Sequence, residues 1–316
     1  MNRSVGHGRP GLAGALVASG LLVGLLLVWL MPEASAQTTA PDGPENVYAL
    51  TADDHLLRFD GDDPRQVATK NITGLRNGES LVGIDFRPSG PDATQGKLYG
   101  LGDQSYIYRI NPSTGAATRG PQITADGAPV ALRGDRFGID FNPTVDRLRI
   151  VSDANQNLRV NVDTGELADF NAVLPGTQPD GDLRYAVGDP NFGEDPNVTG
   201  VAYRNSRPAA LNTTNTELYD IDARTDDMSE QDPPNDGTLN TEGSLGLNTK
   251  KLVGFDIVTR GESPAGDRGY AALQPAYSGS SGFYKVNLDN GKATRIGRIG
   301  AFGTDVEGLA IPIGQR

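Results

Sequence analysis

Cysteine is absent from the 316 residues, which removes disulfide staples, thiolate nucleophiles and cysteine-ligated zinc at one stroke. Histidine is nearly absent: His7 lies in the N-terminal segment that precedes the long apolar run, which leaves His55 as the only histidine of the main body. With one histidine and no cysteine, Ser-His-Asp triads, Cys-His pairs and thiolate or multi-histidine zinc sites are not expected. Positive charge is also scarce, with 28 Lys and Arg against 40 Asp and Glu and a net charge of -12. No basic patch is present to exchange counterions with a phosphate backbone, so nucleic acid is not an expected partner. Long helical periodicity is missing too; short β-type runs alternate with Gly, Pro, Asn and Asp from Asn46 onward.

The one long apolar run is Gly11 to Met31, preceded by Arg3 and Arg9 and followed by Ala34-Ser35-Ala36. This pattern predicts a secretory signal peptide over residues 1–36, cleaved near Gln37, and places the remainder outside the cytoplasm. The alternative is an uncleaved anchor, the single way in which this chain would engage a membrane. Residues 37–45, "QTTAPDGPE", read as a flexible leader, and 46–312 as one all-β domain.

Internal repetition identifies the architecture. The stretches Val82-Gly83-Ile84-Asp85-Phe86, Phe137-Gly138-Ile139-Asp140-Phe141, Thr199-Gly200-Val201-Ala202-Tyr203, Val253-Gly254-Phe255-Asp256-Ile257 and Glu307-Gly308-Leu309-Ala310-Ile311 align on their glycines, which are 55, 62, 54 and 54 residues apart. After the first copy come "KLYGL", "YIYRINPSTG" and "AATRG", so each repeat supplies four antiparallel strands. The turns Asn111 to Gly115, Asn161 to Gly165 and Asn287 to Gly291 each place Gly where positive φ is required. Four strands per repeat make the blade of a β-propeller. The fifth Gly-led strand ends the domain without partners, while "NVYAL", "HLLRFD" and "QVATKNI" open it without a first strand. The expectation is a five-bladed propeller of four-stranded antiparallel blades, its ring closed by pairing the C-terminal strand with the three N-terminal ones. A β-sandwich would explain neither the glycine register nor the complementary ends.

Three sets of residues are candidates for function. The third position of the repeat reads Asp85, Asp140, Ala202, Asp256, Ala310, which sets three carboxylates at similar depth around one axis. They either line a cation-attracting channel or accept backbone N–H groups that fasten blade to blade. One rim gathers an acidic inventory, including Asp53, Asp54, Asp103, Asp153, Asp222, Asp226, Asp227, Asp305 and the segment "GDPNFGEDPN" at 188–197. Asp153, Asp189, Glu194 and Asp195 are the candidate oxygen ligands there, and Ca²⁺ is the cation they suit. In "NPTVDRLRIVSDANQNLRVN", Arg147, Arg149, Asn157 and Arg159 offer bidentate hydrogen bonds to a carboxylate, phosphate or sugar, or ion pairs with nearby aspartates.

The segments "LVGIDFRP", "FGIDFNPTVDRLRIVSDANQNLRVNVDTG", "DGDLRYAVGDPNFGEDPNVTGVAYRN", "TELYDIDARTDDMSEQDPPNDGTLNTEGSLG" and the closing "GLAI" resemble the bacterial exported proteins grouped as DUF4394, over nearly all of residues 46–311. The resemblance implies a secreted, propeller-like domain and carries no catalytic residues. Asp220 and Met228-Ser229-Glu230 depart from the apolar pattern expected of their strands, which puts the edge of the third blade in question. The combined expectation is a non-catalytic propeller that binds a ligand, polymer or protein at its acidic rim, with Ca²⁺ as its one candidate cofactor. The alternative is a Ca²⁺-dependent hydrolase of lactonase or phosphoesterase type on the same scaffold.

Overall fold

The computed structural model describes residues 43–88, 96–207, 210–211, 213, 216–261 and 264–315. The expected signal peptide and most of the leader lie outside the described residues. The last three leader residues do not behave as a free tail: the Gly43 N–H donates to Asp62 Oδ1 at 2.9 Å, and the Pro44 carbonyl accepts the Gly61 N–H at 2.8 Å.

Strands β1 (Val47–Thr51), β2 (His55–Asp60) and β3 (Asp63–Asn71) open the domain. Blade 1 is β4 (Leu81–Arg87), β5 (Lys97–Gly102), β6 (Tyr106–Ile110) and β7 (Ala117–Gln122), followed by a small hairpin of β8 (Thr124–Ala125) and β9 (Ala128–Pro129). Blade 2 is β10 (Phe137–Asn142), β11 (Arg147–Ser152) and β12 (Asn157–Val160). After the short β13 (Arg184–Tyr185), blade 3 comprises β14 (Val198–Tyr203), β15 (Leu218–Asp222), β16 (Asp227–Gln231) and β17 (Thr238–Ser244). Blade 4 is β18 (Thr249–Thr259), β19 (Asp267–Pro275), β20 (Gly282–Val286) and β21 (Ala293–Arg298). Finally β22 (Val306–Ala310) pairs with β1, so blade 5 runs β22-β1-β2-β3 and the ring closes as the two ends of the sequence foretold.

Two blades differ from the four-strand plan. Blade 2 has three strands, and only an isolated bridge between Val160 and Leu167 marks where a fourth would run. The reason is local. The stretch after Leu167 is broken by Pro175, Gly176, Pro179 and Gly181, and the Asp169 carboxylate accepts the Asn171 and Gln178 N–H groups that a ladder would have used. Blade 3 gains a fifth strand instead, because β13 pairs in parallel with the outer edge of β17. Its edge is intact despite Asp220 and Ser229, which face each other across β15 and β16 and are both buried.

The glycines of the repeat explain how five inner strands fit around one axis. A Cβ on Gly138 would lie 2.8 Å from the Val201 nitrogen, and one on Gly254 would lie 2.6 Å from the Leu309 nitrogen. Each repeat glycine meets the next blade in the same rotational sense, Gly83 on Ile139 through Gly308 on Ile84. The axis is consequently almost filled, with a gap of about 10 Å³ among the five glycines, room for about one water. Alternation along each strand sends neighbouring residues to opposite blade faces, so every seam between blades carries its own apolar cluster. The seam between blades 2 and 3 has the smallest cluster, Val151, Leu183, Tyr185, Val198, Val201, Tyr203, Leu218 and Leu239. Charged side chains fill the remainder of that seam. The turn glycines Gly115, Gly165 and Gly291 adopt φ of 78°, 79° and 74°, as their turns require.

Candidate functional site

Asp85, Asp140 and Asp256 stand two residues past their glycines, on the same face of β4, β10 and β18. That face looks at the next blade, and the carboxylates accept its backbone: Asp85 Oδ2 takes the Phe141 N–H at 2.8 Å, Asp140 Oδ1 the Tyr203 N–H at 3.1 Å and Asp256 Oδ2 the Ile311 N–H at 2.5 Å. Because the inner strands converge, a side chain directed at the next blade is also directed at the axis. One oxygen from each of the three carboxylates lies within 4.8 Å of those of the other two, the only such carboxylate, histidine or cysteine group among the described residues. The two uses of these aspartates weighed from sequence thus occur together.

All three are 3–4 % exposed. Burial pushes the Asp85 and Asp140 carboxyls far above the ordinary carboxylate range, reinforced by mutual repulsion with Asp256, and burial alone lifts Asp256 to about 7. Three ionised carboxylates so close and so deep repel one another, so the group requires a compensating positive charge, either protons or a hard cation. The oxygen spacing suits one cation of Ca²⁺ size, although three carboxylates supply fewer than its usual six to eight ligands.

The arginine patch is divided. Arg147 turns back on its own loop, donating to the Val145 and Asp146 carbonyls. Arg149, 1 % exposed, donates through Nη1 to Asn157 Oδ1 and Asp180 Oδ2, both at 2.6 Å, and through Nε to the Tyr203 hydroxyl of blade 3 at 3.2 Å. Arg159 grips both oxygens of Asp180 at 2.7 Å. Arg149 and Arg159 thereby close on one buried aspartate that sequence reading did not single out, Asn157 supports Arg149 and donates to the Gly181 carbonyl, and the three fasten the irregular segment replacing the fourth strand of blade 2. Asp220 sits in the same seam with both oxygens unpartnered; burial raises its carboxyl well above the usual range, against the opposing pull of Arg149.

The four rim carboxylates expected to share a cation are engaged separately. Asp153 accepts the Asp135 and Arg136 N–H groups and the Lys251 ammonium at 3.0 Å. Asp189 accepts the Thr241 N–H and hydroxyl, Glu194 pairs with Arg224, and Asp195 accepts Asn155 Nδ2. The density of acids at 188–197 reflects hydrogen bonds that hold a long loop over blade 3.

A concavity of about 450 Å³ opens on the same rim between blades 4 and 5. It is lined by the turn Thr51 to His55, by Leu57 and Thr69, and by the loop Phe302 to Asp305. The turn is stiff: the Thr51 hydroxyl accepts the His55 N–H at 3.0 Å and donates to Asp53 Oδ1 at 2.6 Å, and His55 Nδ1 lies 3.1 Å from that oxygen. The Thr51 hydroxyl bond, assisted by His55, holds the Asp53 carboxyl below its ordinary value, so it is ionised at neutral pH. Phe302 is 78 % exposed, with its ring beside Gly279 of the loop that also carries the fully exposed Tyr277. Sequence reading placed Asp53 and Asp305 on the rim and missed the aromatic. Its signal was an isolated Phe between Gly300 and Gly303, a ring presented on a turn rather than in a strand.

Comparison with known proteins places the fold in context. Among solved structures, the chain is similar to a glutaminyl cyclase from Myxococcus xanthus at 12 % identity and TM-score 0.38, over 72 % of this chain and 89 % of the other. It is also similar to a chain of a nidogen/laminin complex at 12 % identity and TM-score 0.41, over 86 % and 87 %. A Bacteroides thetaiotaomicron protein of unknown function aligns at 16 % identity and TM-score 0.38, over 84 % and 61 %. No curated protein matches the chain. A family description, "Domain of unknown function (DUF4394)", matches residues 55–310, from β2 to β22 and including the three axial aspartates, and the chain therefore belongs to that family.

Proposed function

We propose that this protein is an exported, non-catalytic propeller that binds a ligand, polymer or protein partner at its acidic rim, in the groove between blades 4 and 5. The observation that carries this reading is the groove itself: a concavity of about 450 Å³ where a rigid His55–Asp53 turn faces a ring left 78 % exposed. A large apolar side chain held in water beside convergent polar groups is the usual composition of a recognition site. The hydrolase alternative finds less support. Metal-assisted hydrolysis needs a cation at an open coordination position, and the one carboxylate trio of suitable spacing among the described residues is 3–4 % exposed. A cation held there would brace blades rather than meet a substrate.

Thermal-shift screening of wild type and Phe302→Ala against oligosaccharides, acidic and basic peptides and calcium tests the proposal. Stabilisation by a ligand that disappears in Phe302→Ala supports it. Stabilisation that persists in the variant moves recognition elsewhere, and lactone or phosphoester turnover abolished by a chelator would refute the non-catalytic reading.

A further inference from the structure

Within that groove, the geometry points to a cationic occupant: we infer that it receives a lysine or arginine side chain from a partner polypeptide, its methylenes on Phe302 and Leu57 and its charged head between Asp53 and Asp305. This inference rests on the groove being the recognition site and adds the chemistry of what is recognised.

Four observations lead to it. First, the groove presents carboxylate oxygens with capacity to spare. Asp53 spends Oδ1 on Thr51 and His55, and Asp305 spends Oδ1 on Gln274 Nε2 at 2.5 Å; the Oδ2 atom of each accepts no hydrogen bond from a described residue. Second, the surrounding field is negative. Asp53 and Asp54 both reach Glu307 strongly enough to help hold its carboxyl up at about 7, an elevation due first to burial and opposed by Arg136. No Lys or Arg lines the groove, and Arg136, the cation that offsets Glu307, is already paired with it at 3.0 Å. Third, the aromatic ring is exposed where those carboxylates are, and a cation over an aromatic face beside anions combines two attractions that act in the same direction. Fourth, Leu57 adds an apolar floor. Long cationic side chains are the ones that carry an apolar stem and a charged head together. A neutral sugar would leave the carboxylates without charged partners, and an acidic ligand would meet repulsion.

Titration calorimetry and ¹⁵N-resolved NMR with blocked tri-lysine, tri-arginine, tri-glutamate and the neutral maltotriose test this on the folded protein. The basic peptides are expected to shift resonances of 51–57 and 302–305 and to bind more weakly as salt rises from about 0.05 to 0.3 M. Asp53→Asn, Asp305→Asn and Phe302→Ala should each weaken that binding about fivefold or more. Glu194→Gln, an acid on the rim of blade 3, should not. Equal loss in Glu194→Gln would reduce the effect to diffuse charge and overturn the inference. Maltotriose or tri-glutamate binding that needs Phe302 but not the aspartates would overturn the ligand class while leaving the groove as the site. Silence of the groove resonances with all four probes would overturn both.

Discussion

The sharpest test of the axial carboxylates is the pH dependence of stability in Asp256→Asn. Burial pushes the Asp256 carboxyl up from its ordinary 3.8 to about 7, against the lowering effect of its backbone hydrogen bonds. A carboxyl whose folded pKa is raised binds more protons in the native state, so its contribution is complete below about pH 4 and is lost as pH rises through 7. Between pH 5 and 8 this single group should remove about 3 kcal/mol of stability, at about 1.4 kcal/mol per pH unit over the interval in which only the unfolded chain is ionised. Asn retains an oxygen for the Ile311 N–H and carries no charge, so the variant should lack that slope. It should also relieve the repulsion that lifts Asp85 and Asp140. Urea titration at pH 5 and pH 8 in the presence of a chelator measures both slopes. Wild type should be the less stable at pH 8, and Asp256→Asn should equal or exceed wild type there. A wild type that is flat or more stable at pH 8, or a variant with the wild-type slope, would refute proton storage at the axis. Calcium added at pH 8 that stabilises wild type but not the variant would show that a cation takes the protons' place.

Further outcomes follow from packing and charge. Gly254→Ala, whose new methyl would meet backbone at 2.6 Å, should cost about 2–3 kcal/mol in chemical denaturation, whereas Gly308→Ala, with its nearest atom at 3.3 Å, should cost distinctly less. Arg149→Met should lose about 3–5 kcal/mol, because Asp180 is then left buried with only the partly exposed Arg159, and equal stability would show that the ion network is dispensable. Asp220→Asn should be nearly neutral at pH 5 and stabilising at pH 8, since the carboxylate it replaces accepts no hydrogen bond; a loss at both pH values would mean that Asp220 serves as counter-charge to Arg149.

The blade plan was legible because it is written as a period. Gly83, Gly138, Gly200, Gly254 and Gly308 recur wherever inner strands crowd the axis, and both ends of the domain advertise a missing partner. The axial aspartates were legible as residues, while sequence left two roles as rivals. A strand face that looks at the next blade also looks inward, and only the ring's curvature makes those directions coincide. What stayed hidden depends on irregular chain. Asp180 lies in a stretch without periodicity, so nothing announces that two arginines of blade 2 will close on it. The acids of 188–197 looked like a shared ligand set because they are close in sequence, yet each turns to a different partner. Conversely, His55 and Phe302 come to line one groove from opposite ends of the domain's sequence, an arrangement that exists only after the ring has closed.

That closure sets a timetable. Val47 to Thr51 is among the first segments of the domain to leave the ribosome and its mate, Val306 to Ala310, is the last, so the earliest strand waits through the synthesis of four other blades. During that interval one backbone edge of β1 has no ladder, and Val47 and Ala49 lack the Val306 and Leu309 they will pack against. A chain truncated before Val306 would have four finished blades and one open flank, the kind of edge that recruits other chains. The strand Val306–Ala310 and the residues after it act as a latch, tightened where the Gln315 amide clasps both the N–H and the carbonyl of Asn46 at 2.7 Å. A cell, or an expression host, that degrades chains lacking this latch would be inspecting the whole ring by its last strand.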